Sequence, residues 1–149
     1  MNRVRKNAVR PAPVEGLTAA VTYRSFPYDP TFTVNETITD MRGNVIALKG
    51  DQVNPLDKVA FNQVLYFIDG DNKEQVDWTR QQIAGKTGYK VILVNGNIKE
   101  TSDALDERIY FDQSAILTRK FGFQHIPVRI SRDGRVLKVE EIPMEEVKK

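Results

Sequence analysis

The chain commits to an architecture in three linked pieces: Tyr110-Phe111-Asp112-Gln113, then Lys120-Phe121-Gly122-Phe123-Gln124-His125-Ile126-Pro127-Val128, then Arg132-Asp133-Gly134-Arg135-Val136. Arg108-Ile109-Tyr110-Phe111 reads as a short strand, rich in β-branched and aromatic side chains. Asp112-Gln113-Ser114 offers capping side chains to a helix over 115–121, and Gly122 stops that helix from the position past its C-cap. Ile126-Pro127 then leads into a hairpin with strands over 128–131 and 136–142, joined by the turn Arg132-Asp133-Gly134-Arg135.

Upstream, Val64-Leu65-Tyr66-Phe67-Ile68 reads as a buried strand closed by the turn Asp69-Gly70-Asp71-Asn72. A helix over 73–84 follows, with Asp71 or Asn72 as its N-cap and Val76, Ile83 and Trp78 or Thr79 turned inward; Gly85 and Gly88 end it. Lys90-Val91-Ile92-Leu93-Val94 is a second buried strand, and Asn97 caps a short helix reaching Leu105. The order β-α-β-α-β-α-β-β predicts an α/β fold, a mixed sheet flanked by helices with its last pair antiparallel.

The organisation expected is an extended arm over 1–35, a small β-hairpin with a connector over 36–60, and the α/β domain over 61–149. Pro11, Pro13, Pro27 and Pro30 exclude continuous helix from the arm. Its aromatics Tyr23, Phe26, Tyr28 and Phe32 pack on something, either this domain or a partner, and both readings stand. Arg42-Gly43-Asn44 and Lys49-Gly50-Asp51 are the turns of the hairpin over 38–53. Asn54-Pro55-Leu56 reads either as a recognition loop or, the preferred reading, as a strand-entry turn in which Leu56 plugs the core, and residues 145–149 read as a frayed tail.

With 149 residues, 40% hydrophobic and 28% charged, the chain has the composition of one globular domain. No apolar run approaches the ~20 residues of a membrane helix. The absence of cysteine removes thiolate metal sites, cysteine nucleophiles and dithiol redox chemistry. A lone histidine, His125, supports neither a zinc site nor a triad, so neither an enzyme nor a cofactor is expected. A net charge of +2 is too balanced for a dedicated nucleic-acid binder. The locally basic start, with Arg3, Arg5, Lys6 and Arg10, precedes no apolar h-region and does not read as a signal peptide.

The stretch from Tyr110 to Val136 resembles the second half of a thioredoxin fold, in which a cis-proline introduces an antiparallel hairpin. The loop that would carry Cys-x-x-Cys is here Asp69-Gly70-Asp71-Asn72-Lys73-Glu74, so the resemblance implies a thioredoxin-like scaffold without its chemistry. Asn54-Pro55-Leu56, the run from Phe61 to Asp71, Gln75-Val76-Asp77-Trp78 and Lys90-Val91-Ile92-Leu93-Val94 together resemble the TraW family of F-type conjugative type IV secretion proteins. Arg10-Pro11, Tyr28-Asp29-Pro30, Leu137-Lys138-Val139-Glu140 and Ile142-Pro143 extend that resemblance over most of the chain.

The resemblance implies a non-enzymatic periplasmic assembly protein, needed for pilus assembly and DNA transfer. Its implied partners are a TrbC-like transfer protein, then TraU and the outer-membrane core complex, with several copies in a ring. Neither nucleic acid nor membrane insertion is implied. Members begin with an export signal and a further segment, so the chain is expected to be a mature C-terminal region with Met1 as an introduced start. The rival reading is a thiol-independent peptide-binding chaperone of the periplasm.

Two contact surfaces are expected: the arm aromatics Tyr23, Phe26, Tyr28 and Phe32, and a groove between Asp69, Asp71 and Asn72 on one side and His125, Ile126 and Pro127 on the other. Asp69-x-Asp71 begins like a calcium loop, but Lys73 and Glu74 stand where a ligand and a glycine belong, so helix capping is the preferred role. His125 is read as a loop histidine contacting backbone or a partner, because no nucleophile or ligand set accompanies it. Pro127 either shapes a peptide-holding groove or serves the turn alone, and both readings are kept.

Overall fold

The computed structural model describes residues 10–57 and 62–144. The basic residues Arg3, Arg5 and Lys6, the family-like Phe61 and the expected frayed tail lie outside the described residues. In chain order the strands are β1 (Thr18–Ala19), β2 (Arg24–Tyr28), β3 (Phe32–Thr33), β4 (Ile38–Thr39), β5 (Val45–Ala47), β6 (Gln52–Val53) and β7 (Val64–Asp69). Helix α1 (Lys73–Ile83), β8 (Tyr89–Asn95), α2 (Ile98–Leu105), β9 (Ile109–Phe111), α3 (Ile116–Phe121), β10 (His125–Ile126), β11 (Val128–Asp133) and β12 (Val136–Glu141) complete it.

Six strands form one mixed sheet in the order β2-β12-β11-β7-β8-β9. β7, β8 and β9 run parallel, while β11 is antiparallel to β7, β12 to β11 and β2 to β12. A parallel βαβ unit followed by an antiparallel hairpin, entered through the cis Ile126–Pro127 bond, is the thioredoxin-like α/β arrangement expected from the sequence. No helix among the described residues is long and apolar enough to cross a membrane.

Strands β7 and β8 are continuous apolar runs because both faces of the sheet are covered. Tyr66, Ile68, Val91 and Leu93 point to the face where α1 and α2 contribute Val76, Ile83 and Leu105. Phe67, Ile92 and Val94 point to the other, where they meet Phe121 of α3, Phe123 and Leu56. Leu56 plugs the core from a 3-10 turn, as expected. Each fully buried side chain of this kind contributes about 1.5–3 kcal/mol of transfer free energy.

Asn72 and Asn97 are the N-caps of α1 and α2, their side chains accepting the amides of Gln75 and Glu100 at 3.2 and 2.9 Å. The third helix starts later than the capping signal suggests. Ser114 and Ala115 take left-handed backbone angles, so α3 begins at Ile116. Asp112 still caps it, its carboxylate accepting Leu117 N–H at 2.9 Å, Thr118 N–H at 2.8 Å and the Thr118 hydroxyl at 2.6 Å.

The arm is not separate from the sheet. Residues 24–28 form β2 and pair with β12, Phe26 opposite Val139. The loops that follow β7 and β8 press together at glycines: a β-carbon on Gly96, at φ +115°, would stand 2.8 Å from Gly70 Cα. No other residue fits there without moving backbone.

Candidate functional site

The turn after β7 is tied internally rather than left open. The Asn95 amide donates to Asp69 Oδ1 at 2.9 Å and to Asp71 Oδ2 at 3.2 Å, and Asp71 N–H donates to Asp69 Oδ1 at 2.9 Å. Arg10 donates to both Asp71 oxygens, at 2.8 and 3.1 Å. That guanidinium holds the Asp71 carboxyl below its ordinary range. Among the described residues no group of three metal-ligating side chains comes together.

Opposite lies the cis bond. Val128 is in register with Phe67, so one step back along β11 brings Pro127 beside Ile68 at the end of β7. The groove between this bond and the Asp69–Asn72 turn is filled by the chain itself. Residues 10–20 run along it: Val14 N–H donates to Val94 O at 2.8 Å, Thr18 N–H to Gln124 O at 3.2 Å and Ala20 N–H to Ile126 O at 2.8 Å. Strand β1 pairs parallel with β10, and Val14 and Leu17 pack on the core beneath. The segment sits as an added strand, satisfying edge groups that would otherwise be open to an extended peptide.

His125 is in contact with backbone and strap, its Nδ1 2.8 Å from the Thr18 hydroxyl. Its position is fixed by a residue the sequence reading passed over. Glu141 accepts the Gln124 and His125 amides at 2.8 and 3.0 Å and the Arg24 guanidinium at 2.7 Å. Burial pushes the Glu141 carboxyl up, but Arg24 and these two amides outweigh it and hold it below its ordinary value. A second buried cluster was equally silent: Glu140 accepts Arg129 at 3.0 Å and the Tyr23 hydroxyl at 2.5 Å, while Arg129 reaches Gln82 of α1 at 2.8 Å. Register alone brings these residues together, since Arg129 faces Glu140 across the hairpin.

Several of the ten expected contact residues, on both expected surfaces, are engaged within the chain itself. Asp71, His125 and Ile126 are engaged by residues 10–20. Tyr28 packs edge-on to Phe121, with centroids 5.0 Å apart, Phe26 lies under Arg24, and Tyr23 holds Glu140. Phe32 is exposed and belongs to the lobe of residues 31–53.

That lobe is two nested ladders, β3 with β6 and β4 with β5. The inner turn is closed by Asp40 Oδ1, which accepts Arg42 and Asn44 N–H at 2.8 and 2.9 Å. Across residues 31–53 only Val34 is buried. Met41, Val45, Ile46 and Leu48 stand in solvent, Ile46 at 66% exposure, and Phe32, Ile38, Ile46 and Val53 line an open cavity of about 630 Å³. Exposed apolar side chains around an open cavity of this kind mark interaction surfaces.

No family model matches the chain, and no solved structure matches it. Among curated proteins it is similar to Protein TraW of Escherichia coli (strain K12), with 42% identity over 149 residues, which is 99% of this chain and 71% of that protein.

Proposed function

The chain belongs to the TraW family, and from that membership we propose that it is a non-enzymatic periplasmic assembly protein of an F-type conjugative type IV secretion system, acting in pilus assembly and DNA transfer by binding other transfer proteins. The observation that carries a binding role is the apolar lobe of residues 31–53. A fold that already buries two core clusters leaves Met41, Val45, Ile46 and Leu48 in water, an arrangement that is favourable once a partner covers them. A TrbC-like transfer protein is the first partner in this reading, with TraU and the outer-membrane core complex next and several copies assembled in a ring. The self-filled groove weighs against the chaperone alternative, because a client peptide would have to displace residues 10–20 from their hydrogen bonds.

The test is recovery of transfer proteins from envelope extract with this chain as bait, beside the double variant Met41→Asp, Ile46→Asp. Both side chains are exposed, so the variant keeps its stability to within about 0.5 kcal/mol. The expected result is near-stoichiometric capture of a TrbC-like protein by the parent chain and loss of about tenfold or more with the variant. Undiminished capture by the variant removes the lobe from the reading, and capture of many unfolded clients favours the chaperone.

A further inference from the structure

One corner of the sheet gathers three cations that form no ion pair among the described residues. Lys90 Nζ and Arg108 Cζ lie 5.3 and 5.5 Å from the centroid of the Tyr110 ring. Tyr110 is opposite Ile92 in the parallel pairing of β8 and β9, so alternation puts Lys90, Arg108 and Tyr110 on the face away from α1 and α2. Lys86 joins them from the loop after α1, and with Gln63 they border a cleft of about 430 Å³.

Among the described residues none of these three cations forms an ion pair. Glu107 borders the same cleft, but its carboxylate accepts the Tyr89 hydroxyl. Beside the cations runs an unpaired edge: β9 ends the sheet and pairs only with β8 among the described residues. Tyr110 is 37% exposed there.

Two features select the occupant. Cations already hold the surroundings of the Tyr110 ring, so a nucleobase could stack on it only by displacing one of them. Their donors, by contrast, remain available to anions that bridge them. An open strand edge offers main-chain hydrogen bonds to an extended segment. We propose that this corner receives an acidic, extended segment of a partner protein, added as a strand to the edge of β9, with carboxylates on Lys86, Lys90 and Arg108. Because side chains on one face of a strand recur every second residue, the segment carries its acids at alternate positions. The site is distinct from the apolar lobe and does not rest on the assembly role.

The probe is a short capped peptide alternating glutamate with valine, titrated into the isotope-labelled chain and followed by amide chemical shifts. The expected result is saturable shifts centred on residues 108–111 that disappear at high salt, with binding weakened about tenfold or more in Lys90→Glu, Arg108→Glu. A second variant, Lys86→Glu with Arg108→Gln, changes only exposed side chains and is expected to weaken binding in the same direction. Shifts centred elsewhere, no shifts at millimolar peptide, or equal binding of the matching lysine–valine peptide overturns the proposal. A thymidine oligonucleotide that displaces the glutamate peptide from 108–111 also overturns it, in favour of a nucleic-acid site.

Discussion

Glu141 is 1% exposed and lies on the same side of β12 as Leu137 and Val139, where an apolar side chain would ordinarily go. It is stable there because every demand of the charge is met: Arg24 on one side, the Gln124 and His125 amides on the other. The two contributions are unequal. Arg24 is 51% exposed and loses part of its attraction to solvent screening. The backbone donors are held in place and would be left unsatisfied without the carboxylate. Glu141→Ala should therefore cost about 3 kcal/mol in urea denaturation, and Arg24→Ala about 1 kcal/mol. Equal losses would mean that the ion pair, not the amide clamp before Pro127, is what holds this residue. No sequence pattern pointed to it, because a glutamate at the end of a hairpin strand reads as a solvated edge residue.

Among the elements, residues 10–30 divide in two. Residues 10–20 lie on the domain as a strap, whereas β2 is part of the sheet and presents Arg24 to Glu141 next to the Tyr23–Glu140 contact. Removing residues 1–20 should leave a cooperative fold, less stable by about 2–4 kcal/mol through the lost burial around Val14 and Leu17. Removing residues 1–30 strips a strand and one partner from each of two buried carboxylates, Tyr23 from Glu140 and Arg24 from Glu141, and should abolish cooperative unfolding followed by near-ultraviolet circular dichroism. Identical melts for the two truncations would show that β2 adds nothing. The proline-rich composition made this segment legible as extended but not as docked, since extended chain in the sheet and extended chain in solvent use the same backbone angles.

For the whole molecule, pH couples to stability at both ends of the scale. Asp71, Glu140 and Glu141 are held below their ordinary values in the fold, so the stability they contribute is complete above the unfolded carboxylate range and is lost as pH falls through it. Tyr89, hydrogen-bonded to Glu107, is pushed up to about 12; its contribution is complete below its ordinary value of 10.0 and is lost as pH rises beyond it. Thermal unfolding should therefore give a plateau between about pH 5 and 10 with a fall on either side, and Glu141→Gln should make the acid fall shallower. A profile unchanged in that variant would assign the acid sensitivity to other carboxylates.

The cap of α1 stays open between Asp71 and Asn72 from the residues alone, but strands β7 and β8, helices α1 and α2, the Asn97 cap, the closing hairpin, the exclusion of thiol chemistry and the family are legible there. Each of these is written in local periodicity, in short-range capping or in residue identity. That residues 10–20 fill the groove beside Pro127, that Arg129, Glu140 and Tyr23 meet, and that Lys90 and Arg108 close on Tyr110 emerges only once the chain is folded. Those contacts join residues distant in sequence, and they are set by strand order and register, which the side-chain pattern of any single strand does not encode.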